Sequence, residues 1–173
     1  MKTLIALIVV AFALPTAYAQ SAGQQAESYY QKGIAAEKSG DPDAALEAYN
    51  AALKLNPQHA NARYRAGQVK IHADSIKAKG TEAEIGAVVI PVYQLEDATV
   101  QESIDVLSLA MNEATEGKIA PNFIIEDPSN KLADKRVTLK LKNIPVSALL
   151  GYIHGIAGTK ARFDEHAVVI TPL

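Results

Sequence analysis

The sequence predicts an α+β protein in two parts, a helical first part followed by one that mixes short strands with two helices. Two observations carry that expectation. From residue 24 to about residue 79, alanine is frequent and apolar residues recur at helical spacing; from residue 87 onward, β-branched residues gather in short runs between turn residues. The change falls at "AKGTEAEIGA", where Gly80 and Gly86 bracket a polar stretch. A linker is therefore expected at residues 81–89, between a helical region at 20–80 and an α+β domain at 90–173.

Residues 1–19 are predicted to be a signal peptide. Lys2 supplies a positive start, "LIALIVVAFAL" an apolar core, Pro15 a break, and Ala17-Tyr18-Ala19 the small residues read at a cleavage site. The apolar run is shorter than the roughly 20 residues that span a bilayer. The expectation is export to the periplasm of a Gram-negative bacterium, with no membrane span once the signal is removed after Ala19. The chain has no cysteine, so disulfides, thiolate chemistry and a lipid-anchored form are not expected. Seventeen Lys and Arg against 19 Asp and Glu leave no polybasic surface for nucleic acid.

Within the helical part, Gly40 is placed to end a first helix, Asp41 to cap a second, and Pro42 to occupy its first turn, where no amide donor is missed. Gly33 and Ala45 are small enough for the two helices to cross closely, with Tyr29 and Tyr49 filling space on either side. Pro57 stops the second helix. "NPQHANARYRAG" starts a second copy with Ala66 and Gly67 in register with Lys32 and Gly33, and the pattern decays after His72.

The α+β part is expected to follow the order β-α-β-β-α-β-β. "AVVIPVYQL" reads as a strand. Thr99 and Glu102 form a capping box for a helix whose apolar face is Val100, Ile104, Leu107 and Met111. "NFIIED" is a second strand. In "RVTLKLK", Val137, Leu139 and Leu141 alternate with Thr138, Lys140 and Lys142, giving a half-buried third strand. A helix starts near Pro145, shows Val146, Leu149, Leu150, Ile153 and Ala157 on one side, and ends at Gly158. "KARFD" and "AVVIT" close the domain as a hairpin.

Two resemblances follow from these residues. Residues 26–59 resemble a tetratricopeptide repeat, in length (a period of about 34 residues) and at Tyr29, Gly33, Ala45, Tyr49, Ala52 and Pro57; Lys32 and Ala36 depart from its larger apolar residues. Such repeats bury their apolar face only by stacking, so one and a half of them must dock on something. The segment from "NFIIEDPSNK" through "VTLKLKNIPVSALLGYI" to "AVVI" resembles the short N-terminal domain shared by secretins and TonB-dependent transducers. That resemblance implies a periplasmic contact module, and an accessory of such a machine rather than its pore.

No catalytic, metal or cofactor site is expected. The four histidines show no ligand spacing. His154 is expected to be partly exposed at a helix C-terminus, where the dipole favours its charge. Adjacent Glu126 and Asp127 point to opposite faces of a strand, no serine sits in a nucleophile elbow, and the "GIAG" match to a nucleic-acid-clamping loop is a helix end. The leading expectation is a non-enzymatic adaptor with protein partners in the cell envelope. The alternative is a binder of a small envelope ligand or cell-wall polymer. Candidate partner-binding residues are Tyr30, Ile34, Glu37, Tyr64 and Gln68 in the helical part, with Leu139, Lys140, Lys142 and Val169 on two candidate edge strands open to strand addition.

Overall fold

A computed structural model describes residues 21–173 of the chain; the signal-peptide expectation for residues 1–19 lies outside the described residues. Five helices and two small sheets are present among them, with the helices first and the strands in the C-terminal part. Ser21 opens helix α1 (Ala22–Lys38) with a capping box: its Oγ accepts the Gln24 N–H at 3.3 Å, and Gln24 Oε1 accepts the Ser21 N–H at 3.0 Å. Gly40, at φ +79°, turns the chain out of α1 in the left-handed region. Asp41 Oδ1 then accepts the Ala44 N–H at 2.9 Å and Pro42 begins α2 (Pro42–Leu55).

Helices α1 and α2 pack around a ring laid on a glycine. Tyr49 is fully buried, and a Cβ built on Gly33 would sit 2.6 Å from Tyr49 Cδ1, inside any real contact distance. Ala45 and Ala52 are buried beside it. Tyr29 does not fill the other side as expected: it is 38% exposed, with Lys32 Nζ 4.9 Å from its ring centroid. The space goes instead to the half-buried Tyr30, whose ring lies 5.8 Å from Tyr49 and 4.9 Å from His59. Two adjacent tyrosines point in directions about 100° apart on a helix, so only one can face the partner helix.

Residues 81–87, read above as linker, are helical. Helix α3 (Ala60–Ala87) runs on past both glycines, with one non-helical residue at His72 (φ −114°, ψ 20°) marking a kink. Before the kink, Ala62, Ala66 and Val69 join the helical core; after it, Ile76 still packs there, but Ile85 belongs to the core of the α+β part. The glycines are contact residues, not breakers. A Cβ on Gly80 would lie 2.5 Å from Gly40 Cα, and one on Gly86 would lie 3.2 Å from Ser147 Cβ. Lys77 and Glu165 add an ion pair at 2.8 Å between α3 and the last hairpin. One helix therefore anchors both parts, so the helical part docks on the C-terminal one.

Strand β1 (Val89–Thr99) pairs antiparallel with β3 (Arg136–Pro145), and the ladder is irregular between Leu95 and Ala98, where Asp97 takes φ +51°. Asn143, at φ +49° and between the ladder pairs Ile90–Ile144 and Val92–Lys142, breaks the alternation of β3. Val137 and Ile144 are both buried although six residues lie between them, a spacing that would put them on opposite faces of a regular strand. The second sheet has the order β2-β5-β4: β2 (Phe123–Ile125) is parallel to β5 (Val168–Pro172), and β4 (Thr159–Phe163) is antiparallel to it. Helices α4 (Val100–Ala114) and α5 (Val146–Ala157) supply the rest of the core. Thr99 Oγ1 accepts the Glu102 N–H at 3.1 Å and Glu102 Oε2 accepts the Thr99 N–H at 2.7 Å. Ile104, Leu107 and Met111 of α4 meet Leu149 and Ile153 of α5, Ile90, Tyr93 and Val137 of the first sheet, and Val168 and Ile170 of the second. Tyr93 keeps its hydroxyl satisfied in that core by donating to Ser103 O at 2.6 Å, and burial pushes its pKa up. Gly158, at φ +67°, ends α5.

Candidate protein-interaction surfaces

A groove of about 480 Å³ runs along the kinked side of α3 and the end of α1, lined by Glu37, Tyr64, Arg65, Gln68, Val69 and His72, with Ile76 and Lys79 at its far end. Helical spacing makes it: Tyr64, Gln68 and His72 repeat every four residues, so their side chains stand in one row. The kink at His72 bends the row, and Ile76 and Lys79 continue it. Of the residues read from the sequence, Glu37, Tyr64 and Gln68 are brought together here. Tyr30 and Ile34 do not line it; both are half-buried and packed against the helical core.

The electrostatics of the groove centre on Glu37. Its carboxylate accepts the Tyr49 hydroxyl through one oxygen and the Arg65 guanidinium through the other, the latter at 3.1 Å. Glu37 holds Arg65 in its charged form, and burial together with the nearby Glu37 charge pushes the Tyr49 pKa up, so that hydroxyl stays a donor. With its one carboxylate engaged from both sides, the groove offers a ligand mainly donors: the remaining N–H groups of Arg65 and the Lys79 ammonium, beside the Gln68 amide, which both donates and accepts. Tyr64, 66% exposed, supplies the apolar anchor. The sequence does not single out Arg65, His72 or Lys79: the four-residue spacing from Tyr64 through Gln68 reaches His72, whereas Lys79 lies beyond the point where the repeat pattern decays.

The α+β part presents its own open edge. Among the described residues strand β3 pairs only with β1, so its other edge carries no ladder there. Leu139 and Leu141 are half-buried there, while Lys140 and Lys142 are exposed. Val169 has no such edge: β5 lies between β2 and β4 with both ladders used, and Val169 is buried at 3% exposure. The expectation of strand addition at residues 167–171 is thereby corrected, because the parallel β2 closes the side that a simple hairpin would leave free.

Burial lowers the pKa of His154, whose Nδ1 lies 2.8 Å from Thr159 Oγ1, the opposite direction to the one expected from the helix-end dipole. Among the described residues no group of three or more His, Cys, Asp or Glu is placed to hold a metal ion, and no helix is long and apolar enough to cross a membrane.

Comparison with known families agrees with the first half of this geometry. The tetratricopeptide repeat model matches residues 26–59, which take in α1 from Ala26 onward, α2 and the turn after it. A repeat of this kind marks a protein–protein interaction module, and no enzymatic family is indicated. No match is found among curated proteins or solved structures.

Proposed function

We propose that this chain is a non-enzymatic adaptor of a Gram-negative periplasm, holding a protein partner in the α1–α3 groove. Its C-terminal part would meet a component of an outer-membrane secretin, pilus or TonB-linked machine. The observation that carries the interaction role is the groove itself: a tetratricopeptide repeat and the helix that follows it place Tyr64, Gln68 and Arg65 on one donor-rich, open face. The envelope setting rests on the signal-like residues 1–19 and the absence of cysteine. The choice of machine rests on the resemblance of the C-terminal part to the short N-terminal domain of secretins and TonB-dependent transducers. The chain acts as two contact lobes joined by α3, and the ion pair and glycine contacts along α3 support a fixed relation between them.

Export is tested by fractionation and N-terminal sequencing of the native protein: a periplasmic form beginning at Gln20 supports the setting, and a cytoplasmic form retaining Met1 overturns it. The interaction role is tested by placing a photo-crosslinking residue at Gln68 in the native host and identifying the captured protein. A discrete species lost on Tyr64→Ala supports the groove, and capture indifferent to Tyr64 rejects it.

A further inference from the structure

We infer that the free edge of β3 is a docking site for an extended protein segment that alternates acidic and apolar residues. The inference rests on the view of the α+β part as a contact module and adds the chemistry of what it contacts. A strand added beside β3 would meet two rows of side chains, one on each face of the ribbon. On the outer face stand Thr138, Lys140 and Lys142, all exposed. On the inner face stand Leu139 and Leu141, half-buried at the rim of a core that fully covers Val137. An incoming strand with carboxylates on one face and aliphatic side chains on the other would match both rows.

The charges select this occupant. β3 carries Arg136, Lys140 and Lys142 and no acidic residue. Its existing neighbour leaves the lysines unmatched, since Gln94 lies opposite Lys140 and Val92 opposite Lys142. Among the described residues neither lysine has an ion-pair or hydrogen-bond partner. A second copy of this chain pairing edge to edge through β3 would set lysines against lysines, which is how natural edge strands deter self-association. The same lysines favour a strand of opposite charge, so one feature both rejects self-pairing and recruits an acidic segment.

The test uses the full chain lacking residues 1–19 and a short synthetic peptide alternating glutamate and valine, with a lysine–valine peptide of equal length as its counterpart. The expected result is saturable binding of the glutamate peptide, with amide-exchange protection appearing along 137–142. The double variant Lys140→Glu, Lys142→Glu should weaken the glutamate peptide about tenfold, from the cross-strand charge pairs reversed, and should bind the lysine peptide instead. Both positions are exposed, so the variant keeps its fold, which circular dichroism verifies. No saturable binding, equal binding of the two peptides, or protection that maps elsewhere overturns the inference. Protection mapping to α1 and α3 would overturn it while leaving the groove of the proposed function standing.

Discussion

Gly33 lies in the matched repeat and Gly67 one repeat length further on, and their surroundings are opposite. The Tyr49 ring lies against Gly33 so closely that no side chain fits, while a Cβ on Gly67 would meet nothing within 4 Å. The difference arises downstream. After α1, the run Gly40-Asp41-Pro42 ends one helix and starts its partner, which returns Tyr49 to the glycine. After Gly67 there is no such run, so α3 continues to Ala87 and its second half packs on the α+β part. A repeat position takes its meaning from the helix that comes back to it. With no helix returning to Gly67, α3 runs on as the tie between the two parts.

The comparison breaks most severely at the ring. Tyr49→Ala removes a fully buried aromatic and should cost about 3–5 kcal/mol in chemical denaturation; a loss below about 1 kcal/mol would mean the helical core does not depend on it. Gly33→Ala forces a methyl into the ring and should cost about 1–3 kcal/mol, and Gly80→Ala should cost a similar amount because the atom it meets is backbone of Gly40. Gly67→Ala reverses the sign: with open space and helical φ/ψ, it should stabilise by about 0.5–1 kcal/mol. Destabilisation at Gly67 would show that something occupies that face after all.

The smallest effect separates the two parts by pH. His154 of α5 titrates below its unfolded value because it is buried. In the interval between its folded pKa and about 6.5, the unfolded chain binds more protons than the folded one. Stability contributed by keeping His154 neutral is present above about pH 6.5 and is lost as pH falls through its folded pKa. His154→Gln should flatten that part of the melting-temperature profile relative to wild type, leaving the slope from carboxylates unchanged. A profile identical in the two proteins would remove His154 as its cause.

Local chemistry made much of this fold legible. Gly40 as a left-handed stop, Asp41 as a cap, the Thr99–Glu102 box and the Gly158 helix end are each decided by a few neighbouring residues, and each occurs where its residue type requires. The alternation from Val137 to Leu141 also holds. What failed depended on contacts distant in sequence. Gly80 and Gly86 look like breakers until Gly40 and Ser147 are seen pressed against them. Val169 looks like an edge position until β2 arrives from some 45 residues earlier to pair with β5 in parallel. The candidate groove was half legible: Glu37, Tyr64 and Gln68 follow from repeat spacing, but the kink at His72 that brings Ile76 and Lys79 into line has no signature in the residues around it.

The central claim is that α3 uses its groove face, and not the bare face at Gly67, to hold a partner. With the protein captured through Gln68 purified, its affinity should be measured for wild type, Tyr64→Ala on the groove face, and Lys70→Ala beside Gly67. The account predicts a loss of about tenfold or more for Tyr64→Ala and less than about twofold for Lys70→Ala, with both variants folded. Equal losses, or a larger one at Lys70, would contradict it.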